Sequence, residues 1–349
     1  MNMIKQVTLG RTGITVPQNA FGALPVQRDD RETAVKLLRR AWEGGMTFFD
    51  TARAYSDSEE KLGAAFGDTV FRNSRERIFI ATKTGATKPD EMKRHLETSL
   101  TNLKTDYVDI YQLHCAAQCY RPGDGTGVYE QMEDFKRQGL IRHIGITAHK
   151  IGVAEEAVPS GLYETLQFPF DYLSGQRERA LVELCARENV GFIAMKGLAG
   201  GLITRYDAAF AFMAQFDNVL PIWGIQRERE LDEWLSCFDN PPVMTEELAE
   251  LIRADRAELG ADFCRGCGYC MPCPQGIVIN QCARMSLMLR RAPSKAWLSE
   301  YWQEEMKRAE TCLHCGACVK KCPYELDTPA LLEKNVEDYK KVLAGERTV

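Results

Sequence analysis

IFIATKTGATKPDEMKRHLETSLTNLKTDYVDIYQLH, running from Ile78 to His114, contains one complete unit of the expected fold. Its opening, Ile78 to Thr82, is a short apolar run that reads as a strand. Residues 89 to 103 carry a helical pattern, and Val108 to Leu113 read as the next strand. In that second strand Val108, Ile110, Gln112 and His114 share one face by the two-residue period of extended chain. The unit is strand, helix, strand, and the rest of residues 1–240 repeats it. Further strands are expected at 20–23, 47–50, 141–146, 165–168, 191–195 and 219–222. Helices are expected at 31–43, 59–66, 129–138, 152–158, 177–188, 208–216 and 228–238. Eight such units in one chain of this length predict a (β/α)8 barrel. A doubly wound open sheet is the competing reading, but no G-x-G-x-x-G follows the first strand. Before the first unit, residues 6–9 and 14–16, split by Gly10-Arg11-Thr12-Gly13, read as a small hairpin.

The pattern breaks at Asn240-Pro241-Pro242. Residues 241–349 are expected to form a second, mostly helical domain, with helices at 246–258, 281–290, 297–310 and 329–343. Two cysteine runs lie in it. The first is Cys264-x2-Cys267-x2-Cys270-x2-Cys273-Pro274, and the second is Cys312-x2-Cys315-x2-Cys318-x3-Cys322-Pro323. The second has the bacterial ferredoxin spacing for a [4Fe–4S] cluster, in which the fourth cysteine serves the other cluster. On that rule Cys264, Cys267, Cys270 and Cys322 hold one cluster, and Cys312, Cys315, Cys318 and Cys273 hold the other. The first run is one residue short before its last cysteine. Two zinc ions are the rival reading, although zinc sites usually pair two C-x2-C elements across a longer gap. Disulfides fit poorly with a large chain that has an odd cysteine count and no secretory signal. The other five cysteines read as small buried apolar residues.

The chain has 349 residues and a formal net charge of −5, from 44 basic and 49 acidic residues evenly mixed. No basic stripe points to nucleic acid. No apolar run is long enough to span a membrane, so no membrane partner is expected. The opening residues 1–10 lack an apolar segment of the signal-peptide kind. A cytoplasmic location is therefore expected, in keeping with oxygen-sensitive clusters.

In such barrels the chemistry sits at the C-terminal ends of the strands. Asp50 ends the second strand, Tyr55 follows in its loop, Lys83 follows the third and His114 the fourth. Together they suit proton transfer to a carbonyl. A tyrosine can protonate the oxygen, and a nearby ammonium lowers its pKa. Asp50 holds the lysine, and the histidine orients the carbonyl.

The stretches Asp50-Thr51-Ala52-Arg53-Ala54-Tyr55, Ser58-Glu59-Glu60-Lys61-Leu62-Gly63, Ala81-Thr82-Lys83 and Tyr111-Gln112-Leu113-His114 resemble the aldo/keto reductase family. The chain as a whole is similar to the subgroup with a C-terminal ferredoxin-like domain. The resemblance implies a barrel that binds NADP(H), with NAD(H) as the alternative, and Tyr55 as acid and base. It implies that Gln167 contacts the carboxamide and that the segment Gly224, Ile225, Gln226, Arg227 holds the adenosine phosphates. Three departures from the family pattern stand out. Thr147-Ala148-His149 replaces a Ser-Asn pair. Met195-Lys196-Gly197 stands where an aromatic residue usually stacks on the nicotinamide. The 2′-phosphate is left to Arg227 and Arg229. The implied activity interconverts a small carbonyl and an alcohol by hydride transfer. The alternative is electron exchange through the clusters with a one-electron redox partner.

Overall fold

The computed structural model describes residues 4–67, 74–259, 263–291 and 295–347. The first three residues of the opening segment lie outside that range. Two compact units divide the chain. The first comprises residues 1–197 and 207–244, and the second residues 198–206 and 245–349.

In the first unit, β1 (Gln6–Thr8) and β2 (Thr15–Pro17) pair antiparallel as a hairpin. Eight parallel strands then close into a barrel. They are β3 (Ala20–Gly22), β4 (Phe48–Asp50), β5 (Phe79–Thr84), β6 (Val108–Leu113), β7 (Ile141–Thr147), β8 (Thr165–Pro169), β9 (Gly191–Met195) and β10 (Val219–Gly224). They run in chain order around the ring, and β10 pairs back onto β3. The (β/α)8 expectation is met and the open sheet is excluded.

Helices of the expected kind lie between the strands, among them Arg31–Glu43, Pro89–Leu103 and Glu228–Asp239. The strands are buried on both faces, which is why they read as apolar runs rather than alternations. Hairpin residues Val7, Leu9, Ile14 and Val16 share one buried cluster with Ala20, Phe48, Ala81, Ile110, Ile193 and Leu220. The apolar filling thus belongs to the strand starts. Buried polar side chains are left for the strand ends.

The second unit is helical. Its helices are Glu246–Leu259, Ile279–Cys282, Met285–Arg291, Glu300–Ala309, Ala317–Lys321 and Thr328–Leu343. The helix expected over 281–290 is broken at Ala283-Arg284. Asn335, on the long last helix, fills the break. Its Nδ2 donates to Ala283 O at 3.1 Å, and its Oδ1 accepts from Ser286 N at 2.8 Å. One buried amide thus serves the orphan groups at two helix ends. Helix 297–310 likewise begins later, at Glu300, after a 3-10 turn. Ala317–Lys321 was not anticipated.

The core of this unit includes Cys264, Cys282 and Cys318 among Ile277, Ile279, Met285, Leu332 and Tyr339. Of the five cysteines outside the runs, Cys119, Cys185, Cys237 and Cys282 are buried as expected. Cys115 is only half-buried.

Candidate active site and cysteine cavities

Strand register brings the polar residues of the barrel together. Asp50 stands opposite Ala81, Lys83 opposite Gln112, and Gln112 opposite Gly145. Lys83 Nζ donates to Asp50 Oδ2 at 2.6 Å and to Thr51 O at 2.7 Å. Gln112 Nε2 donates to Gln167 Oε1 at 3.0 Å and to Asp50 Oδ1 at 3.3 Å. All four side chains are buried. Gln112 was quoted only as part of a motif, yet it joins Asp50 to Gln167. Its position on the His114 face of β6 was the signal for it. Gly145 makes room for it, since a Cβ there would lie 2.9 Å from Gln112 Cγ and 2.4 Å from Thr165 Oγ1.

Tyr55 and His114 stand beside this network. Their rings meet edge to face, 5.6 Å apart at 80°. Lys83 Nζ is 5.2 Å from the Tyr55 ring centre. The tetrad residues are therefore neighbours. Burial pushes Asp50 up and Lys83 down, each opposed by the charge of the other.

The expectation that Lys83 lowers the Tyr55 pKa is corrected. Burial first, and then the negative charges of Asp50 and Cys115, hold the phenol well above its ordinary value. The physical reason is that loss of water around the buried phenol disfavours the phenolate, and this outweighs the ammonium nearby. A raised pKa keeps the proton on Tyr55, as an acid requires. His114 is pushed down to about 3 by burial and then by Lys83. It is a neutral imidazole at ordinary pH.

The remaining barrel candidates lie at strand ends or in the segments that follow them, Arg229 in the first turn of the helix Glu228–Asp239. Thr147 closes β7, and its hydroxyl accepts from Cys115 N at 2.7 Å. His149 is buried, with Nδ1 3.9 Å from Cys115 Sγ, and is pushed down to about 3 by burial and then by Lys196. Lys196 follows β9 in a left-handed conformation, with φ of 61°. Gly224 ends β10. Gln226 Nε2 donates to Asp29 Oδ1 at 3.1 Å. Glu230 Oε2 accepts from the backbone N–H of Gln226 and of Arg227, at 2.8 and 3.0 Å. Arg227 is exposed, while Arg229, 89% exposed, lies 3.5 Å from Glu233.

In the second unit no three His, Cys, Asp or Glu side chains among the described residues converge on a single metal ion. The cysteines instead surround two cavities. One is lined by Cys264, Cys267, Cys270 and Cys322. The other is lined by Cys270, Cys273, Cys312, Cys315 and Cys318. Each cavity therefore draws on both runs. Neither lining contains a carboxylate, and a set of soft sulfur donors around a space suits iron–sulfur ligation. Burial raises Cys264, and the thiolate charges of Cys267 and Cys322 add to it. Thiols crowded in this way cannot all ionise without a cation among them.

Comparison with known proteins agrees with both halves. The profile of the aldo/keto reductase family matches residues 19–215, and that of the 4Fe-4S dicluster domain matches residues 263–327. The chain is 32% identical over 177 residues to D-galacturonate reductase of Fragaria ananassa, covering 45% of this chain and 55% of that protein. It is 29% identical over 319 residues to the uncharacterized oxidoreductase YrpG of Bacillus subtilis, covering 77% and 96%. Among solved structures, an aldo/keto reductase of Klebsiella pneumoniae in complex with NADP and acetate aligns with a TM-score of 0.60. It is 25% identical and covers 72% of this chain and 95% of that one.

Proposed function

This chain belongs to the aldo/keto reductase family, and on that footing we propose that it interconverts a small carbonyl compound and its alcohol with NADP(H). The observation that carries the reading is the meeting of Asp50, Lys83, Tyr55 and His114 at the strand ends. The bound nicotinamide supplies or accepts the hydride at carbon. Every other part falls to the protein. The Tyr55 hydroxyl gives its proton to the carbonyl oxygen as that oxygen gains charge. Neutral His114 donates a hydrogen bond to the same oxygen and orients it. Lys83 waits beside the phenolate that forms, Asp50 holds Lys83, and Gln112 donates to Asp50 from behind. In the oxidative direction the same phenolate takes the proton back.

Gln167 and Lys196 are the proposed contacts to the nicotinamide end, with Thr147 and His149 beside them. Gly224, Gln226 and Arg227 are proposed for the phosphate end. Arg227 is the better reader of a 2′-phosphate, because Arg229 already lies near Glu233. Replacing Arg227 with Ala should raise KM for NADPH and leave NADH nearly unchanged. Equal effects on both cofactors would overturn that assignment.

For the second unit we propose two [4Fe–4S] clusters, one in each cysteine cavity, giving the chain a cluster domain after its reductase barrel. The alternative reading is electron exchange through these clusters with a one-electron partner. The test is anaerobic purification with iron and sulfide counts. NADPH oxidation follows against aldehydes and ketones, with and without a one-electron acceptor. Iron-loaded protein that oxidises NADPH only when the acceptor is present would place the electron-transfer reading first.

A further inference from the structure

Among the described residues Arg284 is a buried cation without a buried acid. It stands in the break between the helices Ile279–Cys282 and Met285–Arg291 and is 5% exposed. Its Nη2 donates to Gly200 O at 2.8 Å and lies 2.9 Å from Met288 Sδ. Its Nε is buried with no hydrogen-bond partner. The two arginines that end the helix Met285–Arg291 are treated differently. Arg290 pairs with Asp338 at 2.7 Å, and Arg291 pairs with Asp255 at 2.7 Å. Among the described residues no carboxylate pairs with Arg284, and the ionisable group whose charge reaches it is the Cys264 thiol.

The guanidinium lies against the backbone between Cys264 and Cys267. A Cβ on Gly266 would come within 2.7 Å of Nη1. Another cation, Arg265, lines the cavity of Cys264, Cys267, Cys270 and Cys322 and lies over the Tyr324 ring at 4.3 Å. The other cavity is lined by cysteines, prolines, small and aliphatic residues and one glutamine, with no charged side chain.

An unpaired buried charge is strongly unfavourable, so a fold that keeps one supplies a counter-charge. Arginine does not escape by losing its proton. Here the counter-charge is that of the cysteine-bound group itself.

We propose that Arg284 is a positioning residue that sets the reduction potential of the cluster held by Cys264, Cys267, Cys270 and Cys322, above that of its neighbour. The inference rests on the two-cluster reading given above. Cluster potentials follow net charge and hydrogen bonds to the sulfurs. Reduction adds one electron and makes or breaks no bond, so the reduced state carries one more negative charge. A fixed cation in a low-dielectric interior stabilises that state the more.

The test uses the full chain, purified anaerobically and counted for iron and sulfide. It is then titrated with dithionite under electron paramagnetic resonance. Cys315→Ser, which touches only the second cavity, assigns the two signals. In the wild type the Arg284-side cluster should have the less negative midpoint. Arg284→Met should lower its reduction equilibrium about tenfold or more, which is about 59 mV for a one-electron couple. The other midpoint should stay where it is, and Arg284→Lys should keep most of the wild-type value. A wild type with equal or reversed midpoints would overturn the proposal. So would a fully loaded Arg284→Met protein with an unmoved midpoint. Should Arg284→Met fail to hold iron, the Lys variant decides. A midpoint near wild type supports the proposal, and one that falls to the level of the second cluster overturns it. Wild-type protein without iron would sink the two-cluster reading and this inference together. Full iron without the asymmetry sinks the inference alone.

Discussion

Tyr55 is a test of chemistry separated from folding. Tyr55→Phe keeps the ring that meets His114 and Lys83 and removes only the hydroxyl. General acid catalysis is commonly worth about 10²–10⁴-fold, so carbonyl reduction should fall within that range while iron content is unchanged. Full activity in the Phe variant would mean that the proton comes from elsewhere. The two histidines nearby make a prediction about acid. His114 and His149 are held down to about 3, against an ordinary value of 6.5. Between those values the unfolded chain binds protons that the native site refuses. Stability is therefore fully present above about pH 6.5 and is lost as pH falls toward 3. His149→Gln should flatten that slope in denaturant titrations between about pH 4 and 6. A slope identical to wild type would show that His149 is not buried as a neutral ring. Reduction itself should show no ionisation near 6.5 from His114.

At the scale of elements, the broken helix of the second unit is a measurable device. Asn335→Ala leaves Ala283 O and Ser286 N without their side-chain partner. Losing partners for buried backbone groups costs about 1–3 kcal/mol, so the denaturant midpoint of this unit should drop accordingly. No change would mean that water replaces the amide at the break. The same element marks where sequence reading stops. The barrel strands were legible because each is a short apolar run set between helical patterns, and β6, β9 and the helix Pro89–Leu103 have the bounds expected of them. The tetrad was legible because its residues lie at the ends of those runs. The break at Ala283-Arg284 was not, because it is imposed from about fifty positions away in the chain by Asn335. Nothing in the local pattern of 281–290 announces it. The five-residue helix Ala317–Lys321 was hidden in the same way, since its pattern is overwritten by the cysteine spacing. The Tyr55 pKa was missed in sign, because the burial that raises it is a property of the folded site and not of the residue's place in the sequence.

At the scale of the molecule, the chain joins an aldo/keto reductase barrel to a unit whose core is partly made of cysteine. No helix among the described residues is long and apolar enough to cross a membrane. Part of the second unit's apolar interior, at Cys264 and Cys318, is also its proposed ligand set. Chelation of iron should therefore loosen this unit while the barrel keeps its own transition. Two transitions in calorimetry, of which only one moves on iron removal, would be the sign, and a single coincident shift would refute it. A last consequence follows from the wall between the two cavities. Cys270 lines both, and each is enclosed by residues from both cysteine runs. Filling one cavity fixes backbone that the other needs, and emptying one releases it. Occupancy should then be bimodal. Native mass spectra of partly loaded preparations should contain empty chains and fully charged ones, with the half-filled species scarce.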